Sequence, residues 1–208
     1  MYHSPERSRA FKEAVHSSTP PLRILDIGTG HEHAESQIER YDLCSLESSV
    51  LTLDIDDHVK PDMLSSAANL PLQSHTFDVV FLESVLEHMR FEEIPRTFEE
   101  TRRVLKPGGV IAGWVPSCYP YHGGGVMRDD LRFTSVGIER LLEPFNGVVI
   151  EACGGPLSVQ LVHTPKVPTA RLKQYTETVE SRVRDYLPDA HRDALPSVGF
   201  RFHAKAPS

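Results

Sequence analysis

Leu22-Arg23-Ile24-Leu25-Asp26-Ile27-Gly28-Thr29-Gly30 is the stretch of sequence that decides the fold. Its first six residues are mostly apolar, and they run directly into a Gly-x-Gly turn. A short apolar run that ends in glycines is typical of a buried parallel strand followed by a tight turn. We therefore predict that 22–27 is the first strand of an α/β sheet, and that the backbone at 28–30 approaches a ligand closely.

Further apolar runs continue this pattern along the chain. We predict strands at 50–54, around 62–64, and at 77–83, 110–115, 148–152 and 198–204. Helices are predicted at 5–16, 33–41, 91–105, 135–142 and 169–187, and residues 153–168 are predicted to be irregular. Lys106-Pro107-Gly108-Gly109 is predicted to stop the helix before it. Strands that alternate with helices predict an open, mainly parallel sheet with helices on both faces.

Composition and charge limit the classes of partner. A chain of 208 residues with 39% hydrophobic and 25% charged residues suits one globular domain. Its formal net charge of -7 disfavours DNA and RNA. No apolar stretch reaches the roughly 20 residues of a membrane span, and the polar N-terminus lacks a signal-peptide core. Three widely spaced cysteines form neither a disulfide framework nor a CxxC pair, so a reducing cytoplasm is expected.

A cofactor site is predicted at the carboxyl ends of the first two strands. Gly28 and Gly30 permit a sharp turn, and Asp54 at the end of the second strand suits two ribose hydroxyls. A dinucleotide dehydrogenase shares this geometry, but His33 stands where its third glycine is needed. Asp26 would also repel a pyrophosphate, whereas it would favour a cationic ligand. A domain whose glycines serve packing alone is the alternative.

Four stretches in this order resemble the class I S-adenosylmethionine (SAM)-dependent methyltransferases, and within them the type 11 group. They are LDIGTG at 25–30, VLTLDID at 50–56, NLPLQSHTFDVVFLESVLEH at 69–88 and RVLKPGGVIAGWVP at 103–116. The resemblance implies a Rossmann-like three-layer α/β sandwich with a mostly parallel sheet of about seven strands, the last one antiparallel. It also implies one domain over 1–208, with a lead-in at 1–21, a SAM-binding half at 22–116 and a substrate-side half at 117–208.

The resemblance implies which residues bind SAM. The loop after the first strand would frame the methionine end, the acid after the second strand would bind the ribose, and the following segment would flank the adenine. A residue that ends the fourth strand would face the methionine or the acceptor. In that order the residues are Asp26, Gly28, Thr29, Gly30, Asp54, Ile55, Ser66, Ala67 and Glu83.

The sequence departs from the family pattern in three places. Glu32 replaces the third glycine of the first motif, and Ser66 replaces an acid that usually binds the adenine amino group. The gap from Asp54 to Asp62 is too short for the usual helix between the second and third strands. We therefore expect this edge of the fold to be trimmed.

Histidines supply the candidate catalytic groups. Methyl transfer from a sulfonium is an in-line displacement, which needs alignment more than a special catalytic group. For a hydroxyl or similar acceptor, a general base helps, and His88 and His122 are the candidates. The alternative for His88 is a helix-packing or surface position.

The loop after the fifth strand offers candidate acceptor-binding residues. These are Tyr121, Asp130 and Arg132, of which Arg132 suits an anionic acceptor. The alternative is an internal ion pair of Asp130 with Arg132 or Arg128 that orders the loop. Trp114, Tyr119 and Tyr121 are either an aromatic acceptor pocket or structural anchors.

No metal site is expected from the sequence. His31-Glu32-His33 can chelate, but it has no further ligand set, and a solvated turn is the simpler interpretation. The acidic residues between Glu83 and Glu100 are interpreted mostly as the solvent-exposed face of a helix.

The predicted function is methyl transfer from SAM to a small-molecule acceptor, by a monomer or a homodimer. A catalytically inactive scaffold that keeps the fold, and a nucleotide-dependent oxidoreductase, are the alternatives.

Overall fold

The structure, a computed structural model, describes residues 15, 20–30, 47–124, 127–163 and 197–208. The helices predicted at 33–41 and 169–187 lie outside these ranges, as do His31, Glu32 and His33. Of the helix predicted at 5–16, only Val15 is described, and it is helical and buried.

Seven strands form one sheet in the described part of the chain. They are β1 (Leu22–Ile27), β2 (Ser48–Asp54), β3 (Met63–Leu64), β4 (Phe77–Glu83), β5 (Leu105–Pro116), β6 (Asn146–Cys153) and β7 (Gly199–Lys205). Their order across the sheet is β3-β2-β1-β4-β5-β7-β6. β7 is antiparallel to both β5 and β6, and the other neighbours are parallel. The predicted α/β fold class, with its antiparallel last strand, is confirmed.

Three α-helices are described with this sheet: α1 (Ile94–Val104), α2 (Ser135–Leu141) and α3 (Pro156–Val162). A 3-10 helix at Phe91–Glu93 leads into α1, which buries a stripe of side chains at three- and four-residue spacing. Thr134 caps α2, because its hydroxyl accepts a hydrogen bond from the Gly137 amide at 3.1 Å.

Apolar side chains cover both faces of the central strands. Every residue of β4 is buried, as a strand between two parallel neighbours requires. On one face Phe98 of α1 packs against Phe145 and Phe202, with ring centroids 6.4 Å apart in each pair. On the other face Val15 belongs to a separate buried cluster of strand residues.

Two predicted boundaries are wrong. Residues Lys106–Gly109 do not precede β5 but belong to it. The register in which β5 pairs with β4 shifts at this point, between Phe77 and Val79. Gly108 keeps the positive φ of a turn, at 74°, yet its amide donates to the Ala206 carbonyl. The predicted irregular segment 153–168 contains α3.

The trimmed edge is confirmed. Between β2 and β3 the structure has only a three-residue 3-10 helix, Asp57–Val59, because eight residues span the gap. In the described residues, no helix has the length and apolar character that crossing a membrane requires.

Candidate active site

The carboxyl ends of β1, β2, β4 and β5 share one edge of the sheet, where ligands of such folds bind. At this edge Gly28 and Gly30 have positive φ values of 71° and 57°. The Gly30 amide donates to Asp54 Oδ2 at 3.1 Å, and the Asp56 amide donates to Asp54 Oδ1 at 3.0 Å. The glycine loop and the β2 acid, 24 residues apart, therefore form one site.

The chemistry of this site fits SAM. Each Asp54 oxygen accepts one amide and keeps a second lone pair for a ribose hydroxyl. A Cβ added to Gly30 would meet only the Gly28 carbonyl oxygen, at 4.0 Å, so a ligand can approach the backbone there. Asp26 is fully buried directly before this loop, and an anionic side chain there favours a cationic ligand.

The remaining residues predicted to bind SAM lie at, or shortly after, the carboxyl ends of β1 to β4. Thr29 is buried, and Ile55 is 75% exposed beside Asp54, as an apolar surface that flanks a base would be. Glu83 is buried at the end of β4. The Ser66 hydroxyl accepts a hydrogen bond from the Ala68 amide at 3.2 Å, so it closes a local turn.

A 3-10 helix at Leu86–His88 connects the cofactor side to the acceptor side. It follows Val85, whose side chain lies against Gly28: an added Cβ there would come within 2.5 Å of Val85 Cγ2. The turn directs Glu87 inward, where it is fully buried. Glu87 was missed in the sequence, where the acids of this region were interpreted mostly as a wet helix face.

His88 and His122, from different loops, lie together beside Glu87. Their ring centroids are 5.1 Å apart, with an interplanar angle of 76°. Glu87 Oε1 lies 3.8 Å from His88 Nε2 and 3.7 Å from His122 Nε2. The Glu87 carboxylate is the main cause that raises the pKa of His122. Burial opposes this rise, and the Pro120 carbonyl and Asp129 add smaller upward contributions.

Both imidazoles are oriented through Nδ1. His88 Nδ1 donates to the Arg128 carbonyl. His122 Nδ1 lies 3.3 Å from the Pro120 carbonyl and 3.2 Å from Asp129 Oδ2. A carbonyl only accepts, so Nδ1 carries the proton and Nε2 is the atom that each ring presents to Glu87.

Arg132 orders the loop that carries His122. Its five N–H groups donate to both oxygens of Asp129, at 2.6 and 2.8 Å, and to the carbonyls of Tyr119, Pro120 and Leu131. Arg132 lowers the pKa of Asp129 to about 2. This arrangement favours the loop-ordering interpretation of Arg132. Its partner, however, is Asp129, which the sequence did not suggest.

The other two predicted acceptor residues lie towards solvent. Asp130 pairs with Arg128, which is one of the ion pairs considered from the sequence. Tyr121 is 72% exposed. Tyr119 instead lies inside the site and makes edge contacts with two rings. Its ring centroid is 5.8 Å from that of Trp114 and 5.3 Å from that of His122.

Two cavities adjoin the same loop on its α1 side. The larger, about 630 Å³, is lined by residues of α1, α2 and 131–134, mostly apolar. The smaller, about 310 Å³, is lined by residues 89–92 together with Arg128, Asp130 and Leu131. Neither lining contains a residue predicted to bind SAM.

Known proteins resemble the chain in both sequence and fold. A family model described as a methyltransferase domain, of type 11, matches residues 25–113. No curated protein matches the chain at significant sequence similarity.

Many solved structures share the fold. A SAM-dependent methyltransferase from Archaeoglobus fulgidus has a TM-score of 0.57 at 16% identity, over 96% of this chain and 94% of that one. Haemonchus contortus phosphoethanolamine N-methyltransferase 2, bound to phosphomonomethylethanolamine and S-adenosylhomocysteine, gives 0.60 at 15% identity, over 96% of this chain but 52% of that longer one.

A Burkholderia thailandensis 1,6-didemethyltoxoflavin-N1-methyltransferase, bound to its substrate and S-adenosylhomocysteine, gives a TM-score of 0.54 at 13% identity, over 96% and 79% of the two chains. At these identities the structural similarity establishes a shared fold, and the match to the family model is confined to residues 25–113.

Proposed function

We propose that this chain, whose residues 25–113 match the model of a type 11 methyltransferase domain, transfers a methyl group from SAM to a small-molecule acceptor. SAM is the cofactor of this family. The proposal divides the chain at the end of β5, with the cofactor bound by 22–116 and the acceptor by 117–208.

On the cofactor side, the glycine loop and Asp54 would hold SAM. Gly30 leaves room for the methionine end, Gly28 makes the tight turn before it against Val85, and Asp26 and Glu83 supply negative charge near it. Asp54 would accept hydrogen bonds from the ribose hydroxyls. Ile55, Ser66 and Ala67 would flank the adenine, with the exposed Ile55 side chain as the apolar surface. SAM, when bound, supplies an electrophilic methyl group on a sulfonium.

On the acceptor side, His88 and His122 are the proposed catalytic residues. The two histidines lie on the loops that follow β4 and β5, and the first of these loops contacts the glycine loop through Val85. A hydroxyl or similar acceptor would lose its proton to an imidazole here. Arg132 would act through Asp129 as a positioning residue, while Tyr121 and Asp130 would meet the acceptor at the outer rim.

A small acceptor suits the charge and the known relatives of the fold. The net charge of -7 opposes binding of polyanions. Two of the similar structures carry small nitrogen-containing acceptors by name. Free thiols at Cys118 and Cys153 agree with a reducing compartment, and the cytoplasm is the proposed location.

The observation that carries this proposal is the hydrogen bond from the Gly30 amide to Asp54, which joins the two motifs in one site. Isothermal titration with SAM and with S-adenosylhomocysteine tests it. We expect both to bind, and Asp54→Ala to weaken both by at least about 10-fold, as loss of a hydrogen bond to a charged group predicts.

Asp62→Ala is a matched control, because Asp62 is a nearby acid that binds Thr52 on the outer side of β2. It should leave SAM affinity unchanged. Absence of binding of both ligands at millimolar concentration would refute the proposal in favour of an inactive scaffold. Binding of NAD(P) in a fluorescence titration, without SAM binding, would favour the oxidoreductase.

A further inference from the structure

Glu87 is a buried carboxylate whose environment lacks the usual partners. Its side chain has no solvent exposure, and in the described part of the structure neither oxygen forms a hydrogen bond. A buried carboxylate without hydrogen bonds is costly, and such groups are normally paired or bound to a metal. The surroundings of Glu87 should therefore show what satisfies it.

Three lone-pair atoms converge at this position. Since His88 and His122 direct Nδ1 towards other acceptors, each ring presents its Nε2 atom to Glu87 Oε1, at 3.8 and 3.7 Å. These separations exceed a hydrogen bond. The buried charge of Glu87 is offset when a cation occupies the space among these three atoms, and a metal ion would be bound by all three at once.

The geometry suits a metal ion. One candidate ligand atom from each of the three residues lies within 4.8 Å of the other two. Ligands at about 2.1 Å from a tetrahedral ion lie about 3.4 Å apart. The two separations between Glu87 and the histidines, 3.8 and 3.7 Å, are a few tenths of an ångström larger, and small side-chain rotations would close them to this spacing.

The surrounding contacts have the pattern that supports metal-binding histidines. Such ligands usually donate the second ring N–H to a carbonyl or a carboxylate, which fixes the ring and its tautomer. His88 donates to the Arg128 carbonyl, and His122 lies against the Pro120 carbonyl and Asp129. Asp129 is itself held by Arg132 through two hydrogen bonds.

We propose that Glu87, His88 and His122 form a binding site for a divalent transition-metal ion of the Zn²⁺ class. Two imidazoles and one carboxylate are typical ligands of such ions, whereas Mg²⁺ and Ca²⁺ prefer oxygen ligands alone. Three protein ligands leave at least one position for water or for a ligand atom. The site lies in the loops that follow β4 and β5, directly after the Val85–Leu86 turn beside the glycine loop.

This inference stands apart from the proposed methyl transfer, although it would deepen it. With an ion present, both Nε2 atoms are ligands, so the ion and not an imidazole would acidify an acceptor hydroxyl. The metal is measured without SAM. Metal binding without SAM binding would refute the proposed function alone, and SAM binding without metal binding would refute this inference alone.

The experiment titrates metal-stripped, tag-free full-length chain with Zn²⁺ by calorimetry, and with Co²⁺ by visible absorption. We expect one equivalent to bind, and Co²⁺ to show the bands of a site with nitrogen and oxygen ligands. Glu87→Gln, His88→Gln and His122→Gln should each weaken binding by at least about 100-fold. Asp129→Asn, which weakens the support of His122 and the ion pair with Arg132 without removing a proposed ligand, should weaken it by about 10- to 100-fold.

Control variants address other possible sites. Asp56, Asp57 and His58 form a second group of potential ligands, but an exposed one. His58→Gln, and the double variant His31→Gln/His33→Gln, should leave the affinity unchanged. Absence of stoichiometric binding in the parent chain, or binding that survives all three ligand variants, would overturn the proposal. If circular dichroism shows that Glu87→Gln does not fold, metal binding by the two histidine variants, whose rings are partly exposed, tests the site instead.

Discussion

At the scale of the residue, Gly28 and Gly30 look equivalent in the sequence and differ in the structure. Both have positive φ, which costs an L-residue roughly 1 to 2 kcal/mol. Only at Gly28 would an added Cβ also clash, at 2.5 Å from Val85 Cγ2, and a β-branched side chain has little freedom to move away. Gly28 is thus fixed by packing, whereas Gly30 faces open space.

This difference predicts a split between stability and binding. Gly28→Ala should lower the free energy of unfolding by at least about 1 kcal/mol more than Gly30→Ala, because overpacking adds to the backbone strain. Gly30→Ala should instead weaken the binding of SAM more than it destabilises the fold, because the added methyl group enters the proposed ligand space. Urea unfolding and SAM titration of both variants measure the two effects. Equal losses of stability would contradict the packing argument.

At the scale of the element, the loop from 117 to 134 depends on Arg132 for its order. Beyond the five hydrogen bonds of that guanidinium, the Phe133 amide donates to the Pro116 carbonyl and the Asp130 amide to the Glu87 carbonyl. Lysine has three donors on a flexible stem and lacks the planar fork that meets Asp129. The positions of His122 and Asp129 should therefore depend on arginine at this position.

We predict that Arg132→Lys destabilises the fold by roughly 1 to 3 kcal/mol, because acceptors at buried Asp129 are left unsatisfied. Amide hydrogen exchange should accelerate across the loop. Arg128→Lys is the matched control, since Arg128 and Asp130 form an exposed pair worth no more than about 1 kcal/mol. If both variants exchange at the parent rate, Arg132 does not order the loop.

Elements of the sheet could be predicted wherever local pattern and tertiary context agree. β4 was predicted with its observed bounds, because seven consecutive residues suit a strand buried on both faces. Lys106–Gly109 was predicted as a turn from local chemistry, but pairing of Gly108 and Gly109 with Ala206 draws it into the sheet. α3 was missed because glycines and a proline at its start hide a short helix.

The site could be predicted only in part, for a similar reason. Asp54 and the glycine loop follow from strand order, which brings the ends of β1 and β2 together. Glu87 could not be found, because its inward direction depends on a three-residue 3-10 turn that has no periodic signature. The partnership of Asp129 with Arg132 depends on the path of a loop, which sequence spacing does not determine.

At the scale of the whole molecule, the antiparallel β7 closes the sheet between β5 and β6 and brings polar side chains into it. His203 is 4% exposed there and pairs across the strands with Ala112 and Val149. Burial lowers the pKa of His203 to about 4, and the charge of Lys205 adds to the effect. The folded chain thus holds a neutral imidazole in the middle of its sheet.

The stability of the whole fold should therefore fall as the solution becomes acidic. An unfolded histidine titrates near 6.5, so below that pH the unfolded chain binds a proton that folded His203 does not take up until about pH 4. The contribution of neutral His203 to the free energy of unfolding is complete above pH 6.5. It is lost progressively towards pH 4, by up to about 3 kcal/mol. Urea unfolding across this range should show a steeper loss in the parent chain than in His203→Gln, which cannot bind the proton. His75→Gln, at an exposed position, is the control and should show the same dependence of unfolding free energy on pH as the parent chain. If the His203→Gln profile also ran parallel to that of the parent chain, the buried imidazole would not govern acid stability.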